Sequence, residues 1–173
     1  MGTLGLPNKV EASDTINVYL FRGATCEHCH DALEYINEHR EEIPDNVEII
    51  TYEVWRNSDN STFHNEVAKA LGLDEDDYNT VPLFVVGDKY ILGYGTGTWE
   101  ELFEFAENYA SSDDYEDIVA NTRNNTTLNL ELEAMTLDDL YSEPNPIVTI
   151  IVYVVFGVIV LGFIGMIVFS RKK

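Results

Sequence analysis

Two cysteines separated by two residues are the part of this sequence with the clearest capacity for chemistry. The segment Cys26-Glu27-His28-Cys29 follows a short apolar run and opens a stretch in which apolar residues recur at helical spacing. At the first turn of a helix, unpaired backbone N–H groups and the helix dipole stabilise negative charge. Because the thiolate is the form of cysteine that attacks a disulfide, we predict that Cys26 is the attacking thiol. Cys29, nearly one turn later and more buried, is then the resolving thiol.

The two residues between the cysteines have opposite expected effects on Cys26. A protonated His28 stabilises a thiolate, whereas the negative charge of Glu27 and the acidity of the chain raise the pKa of the thiol. We expect Glu27 to face water, where its charge is screened. The net expectation is a lowered pKa for the Cys26 thiol.

Two other uses of the cysteine pair are a static disulfide and a metal site. A bridge that closes so short a loop restricts the unfolded chain little. A zinc site would draw on the cysteines and the histidines, namely Cys26, His28, Cys29, His30 and the distant His64. Structural zinc sites use a second downstream pair of ligands, which the sequence lacks, so we expect no metal. His39 and His64 are expected to be surface residues.

The second candidate element is Val81-Pro82, which directly precedes an apolar run at Leu83–Val86. A proline is tolerated at the first residue of a strand because its missing N–H costs no ladder bond there. A cis peptide bond would instead bring the Val81 backbone beside the cysteines, with its N–H and C=O free to bind an extended substrate. Cis bonds form only about 5–6% of X–Pro bonds, so the pattern alone leaves both alternatives open.

The elements that position these residues follow from the spacing of the apolar residues. Apolar, β-favouring runs predict strands at residues 16–21, 47–55, 83–86 and 89–93. Apolar residues at helical spacing predict helices that begin near Cys26, near Phe63 and at Thr98. A tight turn at Gly87-Asp88 joins the last two strands, and Gly72 is placed to cap the second helix.

This β-α-β-α-β-β-α order, with C-x-x-C at the start of a helix and Val-Pro before a hairpin, resembles the thioredoxin family. The motifs YLFRGATCEHCHDALEYI and NTVPLFVVGDKYILGYG carry the resemblance. It implies a thioredoxin-like α/β fold with a central mixed four-stranded sheet, a nucleophilic Cys26, a resolving Cys29 and a cis Pro82 beside them, with Val81 and Pro82 binding substrate. The C-x-H-C form resembles the disulfide-bond-forming branch, whereas Thr25 replaces the family's usual tryptophan before the first cysteine.

A run of 23 residues without a charged side chain, residues 147–169, predicts a membrane span. As a helix it would be about 35 Å long at roughly 1.5 Å per residue, enough to cross an apolar bilayer core of about 30 Å. We therefore predict one transmembrane helix over residues 146–170, followed by a basic tail, residues 171–173. The lipid bilayer is thus an expected partner.

The distribution of charge predicts which side of the membrane the cysteines occupy. All 31 acidic residues precede the apolar run, and three basic residues follow it. The positive-inside tendency places the tail in the cytoplasm and the cysteines outside, and the sequon Asn60-Ser61-Thr62 is compatible with that side. Residues 1–13 form a leader without the features of a signal peptide. A tail-anchored protein with a cytosolic domain is therefore the alternative.

The acidity of the chain also predicts a stalk and excludes one class of partner. Nucleic acids bind proteins that neutralise phosphates with Lys and Arg, so a net charge of -21 excludes them. Residues 111–145 hold nine acidic residues and one basic residue, and as a flexible chain they would reach about 33 Å. Leu128, Leu130, Leu132 and Ala134 alternate with polar residues as in a half-buried strand. The spacing of Leu130, Ala134 and Leu137 fits a helix equally well.

Together these patterns predict a leader (1–13), a thioredoxin-like domain (14–110), an acidic stalk (111–145), a transmembrane helix (146–170) and a basic tail (171–173). The predicted function is that of a membrane-anchored thiol–disulfide oxidoreductase that needs no cofactor. It would exchange disulfides with protein substrates and be recycled by a redox partner, with oxidation or reduction left open as the direction. The alternative is a non-catalytic thioredoxin-like module that docks a substrate or holds a metal.

Overall fold

The strands and helices follow the predicted order up to the third helix and then continue through three further elements. The computed structural model describes residues 15–110 and 115–141. The strands are β1 Ile16–Arg22, β2 Val47–Glu53, β3 Leu83–Val86, β4 Lys89–Leu92 and β5 Ala134–Thr136. The helices are α1 Glu27–Glu38, α2 Ser58–Ala70, α3 Thr98–Ala110, α4 Ile118–Asn125 and α5 Leu137–Tyr141, with short 3₁₀ turns at Arg40–Glu42 and Glu75–Asp77.

The strands form one mixed sheet in the order β4-β3-β1-β2-β5. β1 is parallel to β2, whereas β3, β4 and β5 each run antiparallel to a neighbour. This mixed α/β arrangement is consistent with the expected thioredoxin-like fold. The sheet has five strands rather than the four predicted, because β5 pairs with the outer edge of β2.

β1 is the centre of the fold because both of its faces are buried. Ile16, Val18 and Leu20 face one core, and Tyr19 and Phe21 face the other. The first core is closed by α1 and α3 through Ala32, Ile36, Trp99, Leu102 and Ala106. The second core is closed by α2 and α4 through Phe63, Val67, Ala68 and Val119. Each large apolar side chain buried in this way contributes roughly 1.5–3 kcal/mol to folding.

Two glycines occupy turns that the sequence predicted correctly. Gly72, with φ +76°, follows α2, and its N–H donates to the Lys69 carbonyl oxygen. Gly87, with φ +60°, begins the β3–β4 turn, and a Cβ there would overlap the Tyr109 ring. Both positions need positive φ, and the second also needs the space that only glycine leaves.

The segment predicted to be a flexible acidic stalk differs from that expectation over residues 115–141, which pack onto the domain. The side chain of Val119 on α4 and that of Leu137 on α5 are buried. β5 pairs with β2 through the register Ile50↔Thr136. Burial of apolar residues in these short elements outweighs the acidity that favoured a flexible chain.

A carboxylate anchors this segment to the centre of the sheet. Asp117 Oδ2 accepts hydrogen bonds from the Tyr19 hydroxyl at 2.8 Å and from Asn17 Nδ2 at 3.2 Å. Its Oδ1 accepts from the Ala120 N–H at 2.8 Å and so caps α4. Burial, reinforced by the negative charge of Asp117, raises the pKa values of Tyr19 and Tyr115. Both hydroxyls therefore stay protonated as donors to this carboxylate.

The predicted membrane segment is not among the residues that the structure describes. The leader (1–13), the transmembrane helix (146–170) and the basic tail (171–173) all lie outside residues 15–110 and 115–141. Within those two ranges, each helix is too short or too polar to cross a bilayer.

Candidate functional site

Cys26 and Cys29 are joined in a disulfide at the start of α1. Their Cα atoms are 5.2 Å apart, within the range that a disulfide requires. Cys29 is only 1% exposed, whereas Cys26 is half-buried. The predicted pairing, and the prediction that Cys29 is the more buried cysteine, are confirmed.

Cys26 is the N-cap residue of α1, the position that the sequence analysis predicted. Its Sγ accepts a hydrogen bond from the Cys29 backbone N–H at 3.1 Å. In the reduced protein the same N–H, together with the positive end of the helix dipole, would stabilise a thiolate at this atom. The pair thus has one accessible sulfur at a helix N-terminus and one buried sulfur behind it.

The Val81-Pro82 segment lies directly beside the accessible sulfur. The Val81–Pro82 peptide bond is cis, and Cys26 Sγ lies 4.0 Å from the Val81 carbonyl oxygen. The Pro82 carbonyl oxygen accepts from the Gly93 N–H at 2.8 Å, which ties this loop to the end of β4. The structure therefore brings Cys26, Cys29, Val81 and Pro82 together, as the resemblance implied.

The two residues between the cysteines are both exposed. Glu27 lies in the first turn of α1, where the helix dipole favours a carboxylate, and it faces solvent as expected. The His28 side chain lines a cavity between α1 and the β4–α3 loop. Neither side chain lies between the two sulfurs, so any effect on them is electrostatic.

A carboxylate that the sequence analysis missed holds the loop leading to Cys26. Glu53, at the end of β2, accepts hydrogen bonds through Oε1 from the N–H groups of Ala24 and Trp55, both at 2.9 Å. Its Oε2 accepts from the Arg56 N–H at 2.8 Å. One side chain thus joins the loop before Cys26 to the loop between β2 and α2. No pattern in the sequence pointed to this role, because it depends on which loops pack beside the end of β2.

Trp55 packs against the same loop. A Cβ at Gly23 would overlap the Trp55 indole ring, so the ring lies directly on the Gly23 backbone. The Gly23 carbonyl oxygen in turn accepts from the Cys26 N–H at 3.2 Å. Trp55 is 51% exposed, which leaves an aromatic surface beside the loop that leads to Cys26.

His64 is buried, which corrects the expectation that it is a surface residue. Its side chain is 0% exposed, and its ring centroid lies 5.0 Å from that of Phe21. Among the described residues, neither of its ring nitrogens has a hydrogen-bond partner. Burial lowers the pKa of His64 to about 4, because the charged imidazolium is poorly solvated in the core.

The remaining histidines lie apart from a common site. His30 is exposed, and the half-buried His39 places Nδ1 2.8 Å from the Tyr35 carbonyl oxygen. In residues 15–110 and 115–141, no three His, Cys, Asp or Glu side chains are grouped so that they could hold a metal ion.

Comparisons with known proteins find a likeness to a solved structure but do not identify a family. No protein-family model and no curated protein matches this sequence. A solved structure to which the chain is similar is the solution structure of an uncharacterized thioredoxin-like protein from Porphyromonas gingivalis. The likeness has 20% identity and a TM-score of 0.34, and it covers 58% of this chain and 79% of that chain. Any function of this chain therefore has to follow from its own sheet order and site.

Glu53→Ala should lower the free energy of unfolding by about 2 kcal/mol, because three backbone N–H groups lose a charged acceptor. Glu53→Gln should lower the free energy of unfolding by less, since the amide oxygen can still accept from two of these N–H groups. Chemical denaturation measures both effects, and amide hydrogen exchange at Ala24 reports the loop itself. Glu48→Ala, an exposed change on the same strand, is the control. Equal costs for the Glu53 and Glu48 alanine variants would show that the carboxylate does not hold the loop.

His64 should make the protein less stable in acid. The unfolded chain binds a proton at His64 near pH 6.5, whereas the folded chain does so only near pH 4. The contribution of the neutral His64 ring to the free energy of unfolding is therefore complete above pH 6.5. It is lost as the pH falls towards 4, which lowers that free energy by up to about 3 kcal/mol. Unfolding measured at several pH values in wild type and in His64→Leu isolates this contribution. Parallel stability curves for the two proteins would contradict it.

Proposed function

We propose that the protein is a thiol–disulfide oxidoreductase that exchanges disulfides with protein substrates through Cys26 and Cys29. The observation that carries the proposal is the position of Cys26 Sγ, which accepts the Cys29 N–H at 3.1 Å and lies 4.0 Å from the Val81 carbonyl oxygen. The first contact favours the thiolate, and the second places the sulfur beside backbone that an extended peptide can pair with. A static structural bridge needs neither feature.

The exchange requires no group beyond the two thiols of each partner. A substrate thiolate attacks Sγ of Cys26, the Cys26–Cys29 bond breaks, and its electron pair leaves with Cys29. A second substrate thiolate then attacks the substrate sulfur of the mixed disulfide and releases Cys26 as a thiolate. The substrate loses two electrons and two protons, and the protein pair gains two electrons and takes up two protons. The reverse sequence reduces a substrate disulfide.

The partner that recycles the cysteine pair determines whether the protein oxidises or reduces its substrates. Stabilisation of the Cys26 thiolate favours the dithiol form and so makes the disulfide a better oxidant. The C-x-H-C sequence, which resembles the disulfide-bond-forming branch, agrees with this direction. We therefore propose that a separate redox partner reoxidises the pair after each exchange.

We further propose that residues 146–170 anchor the protein in a membrane, with the basic tail in the cytoplasm and the redox pair on the other side. The support is the uncharged run of 23 residues and the three basic residues after it.

The Asn60 sequon gives no support to this topology, because Asn60 is 1% exposed. Its side-chain amide donates to the carbonyl oxygens of Glu53 at 3.0 Å and Glu133 at 2.9 Å. A glycan on this nitrogen would remove both bonds.

Cys29→Ser should trap substrates as mixed disulfides with Cys26, because the thiol that releases them is gone. Non-reducing electrophoresis and mass spectrometry of the full chain, incubated with a protein disulfide such as insulin, should show an adduct at Cys26 that reductant removes. Cys26→Ser, which leaves only the buried sulfur, should form at least tenfold less adduct. Equal adduct formation by the two variants, or none by either, would refute the exchange function.

The proposed topology predicts which residues a membrane-impermeant maleimide can label in intact cells. The Cys29→Ser chain should be labelled through Cys26 both before and after lysis, following reduction with a permeant thiol. A chain with both native cysteines changed to serine and with Lys173→Cys should be labelled only after lysis. The opposite pattern would assign the redox pair to the cytoplasm and support the tail-anchored alternative.

A further inference from the structure

A cavity of about 430 Å³ lies next to the redox pair, between α1 and the start of α3. Its volume is within the range of sites that bind small molecules or side chains. His28, which sits between the two cysteines in sequence, forms part of its wall, so the cavity begins at the C-x-x-C segment. We refer to it as the α1–α3 cavity.

Three aromatic side chains of Tyr and Trp line the α1–α3 cavity. Tyr35 lies on the same face of α1 as His28, and Tyr94 and Trp99 line the opposite side. Tyr35 and Trp99 meet edge to face, with ring centroids 6.2 Å apart. Trp99 is 7% exposed and forms part of the first core. The packing of α3 on the sheet therefore holds the Trp99 ring in place.

Two carboxylates complete the cavity. Asp31 on α1 and Glu100 on α3 both line it and are exposed, while no Lys or Arg among the described residues does so. Burial raises the pKa of Tyr94, and the nearby Tyr35, Asp31 and Glu100 raise it further. Aromatic rings combined with carboxylates are the surroundings that favour an organic cation, through cation–π attraction and ion pairing.

We propose that the α1–α3 cavity binds the side chain of a lysine or arginine that neighbours the reacting cysteine of a protein substrate. The apolar stem of such a side chain packs on Tyr94 and Trp99, and its charged end pairs with Asp31 and Glu100. The proposal rests on the proposed exchange function and adds the class of substrate to it: thiol proteins with a basic residue next to the cysteine. Glutamate at that position would be repelled.

The test compares dithiol peptides that differ only in the residue after the first cysteine, which is Lys, Gln or Glu. The rate constant for their oxidation by the disulfide form of the full chain, in neutral detergent, should be about fivefold higher for Lys than for Gln, and lowest for Glu. The Asp31→Asn/Glu100→Gln variant should reduce the Lys-to-Gln ratio to about one. The matched variant Glu34→Gln/Glu104→Gln changes the net charge equally on the same two helices and should keep the ratio near five.

A second measurement separates failure of this cavity from failure of the exchange function. The same peptides with serine in place of cysteine cannot react, and their binding to the disulfide form can be followed by NMR. The Lys peptide should bind about fivefold more tightly than the Gln peptide and shift the signals of Tyr94. Equal binding of the two peptides, or loss of the preference in both paired variants, would overturn the cavity proposal. Absence of exchange with every peptide would instead refute the exchange function and leave the binding data to decide the cavity.

Discussion

The hydrogen bond from the Cys29 N–H to Cys26 Sγ is the interaction on which the proposed thiol–disulfide exchange depends. It exists because Cys26 caps α1, so that its sulfur meets a backbone N–H that the helix leaves without a carbonyl partner. The same geometry places Cys29 one turn later, within disulfide distance and out of solvent. The first turn of a single helix thus leaves one sulfur accessible, beside an N–H that would stabilise its thiolate, and buries the other.

The register of the sheet explains why the second half of the site lies where it does. β1 and β3 are antiparallel neighbours in which Phe21 is opposite Leu83. The chain that leaves β1 towards Cys26 and the chain that enters β3 through Val81-Pro82 therefore meet at the same edge of the sheet. Glu53 ends β2 at that edge as well, because β2 is parallel to β1 and ends opposite Arg22. One edge of the sheet thus brings together the Cys26 sulfur, the Val81 carbonyl and the Glu53 carboxylate that holds the loop before Cys26.

The parts of the structure that local patterns determine could be predicted from the sequence, and the parts that depend on distant contacts could not. The helix that begins after Cys26 and the turn at Gly87 follow from periodicity and from the φ that glycine permits. The roles of Glu53 and His64 depend on which chain segment packs against them, and residue type carries no signal of that. β5 was missed because its three residues are too few for a periodic pattern and its pairing is with a strand more than 80 residues earlier.

The negative charge of the chain opposes the ionisation of Cys26 that the proposed exchange needs. The N–H donors at the start of α1 limit this effect locally. A net charge of -21 opposes a further negative charge on Cys26, yet most of these carboxylates face water and are screened beyond about 8–10 Å. The N–H donors of α1 act at hydrogen-bond distance, where screening is weak, so they can outweigh the distant charge. If a basic side chain binds between Asp31 and Glu100, it also offsets part of the negative charge of these two carboxylates beside the C-x-x-C segment. Substrate binding would then favour the Cys26 thiolate, which the overall negative charge disfavours. The acidic surface would in this way help to select basic substrates.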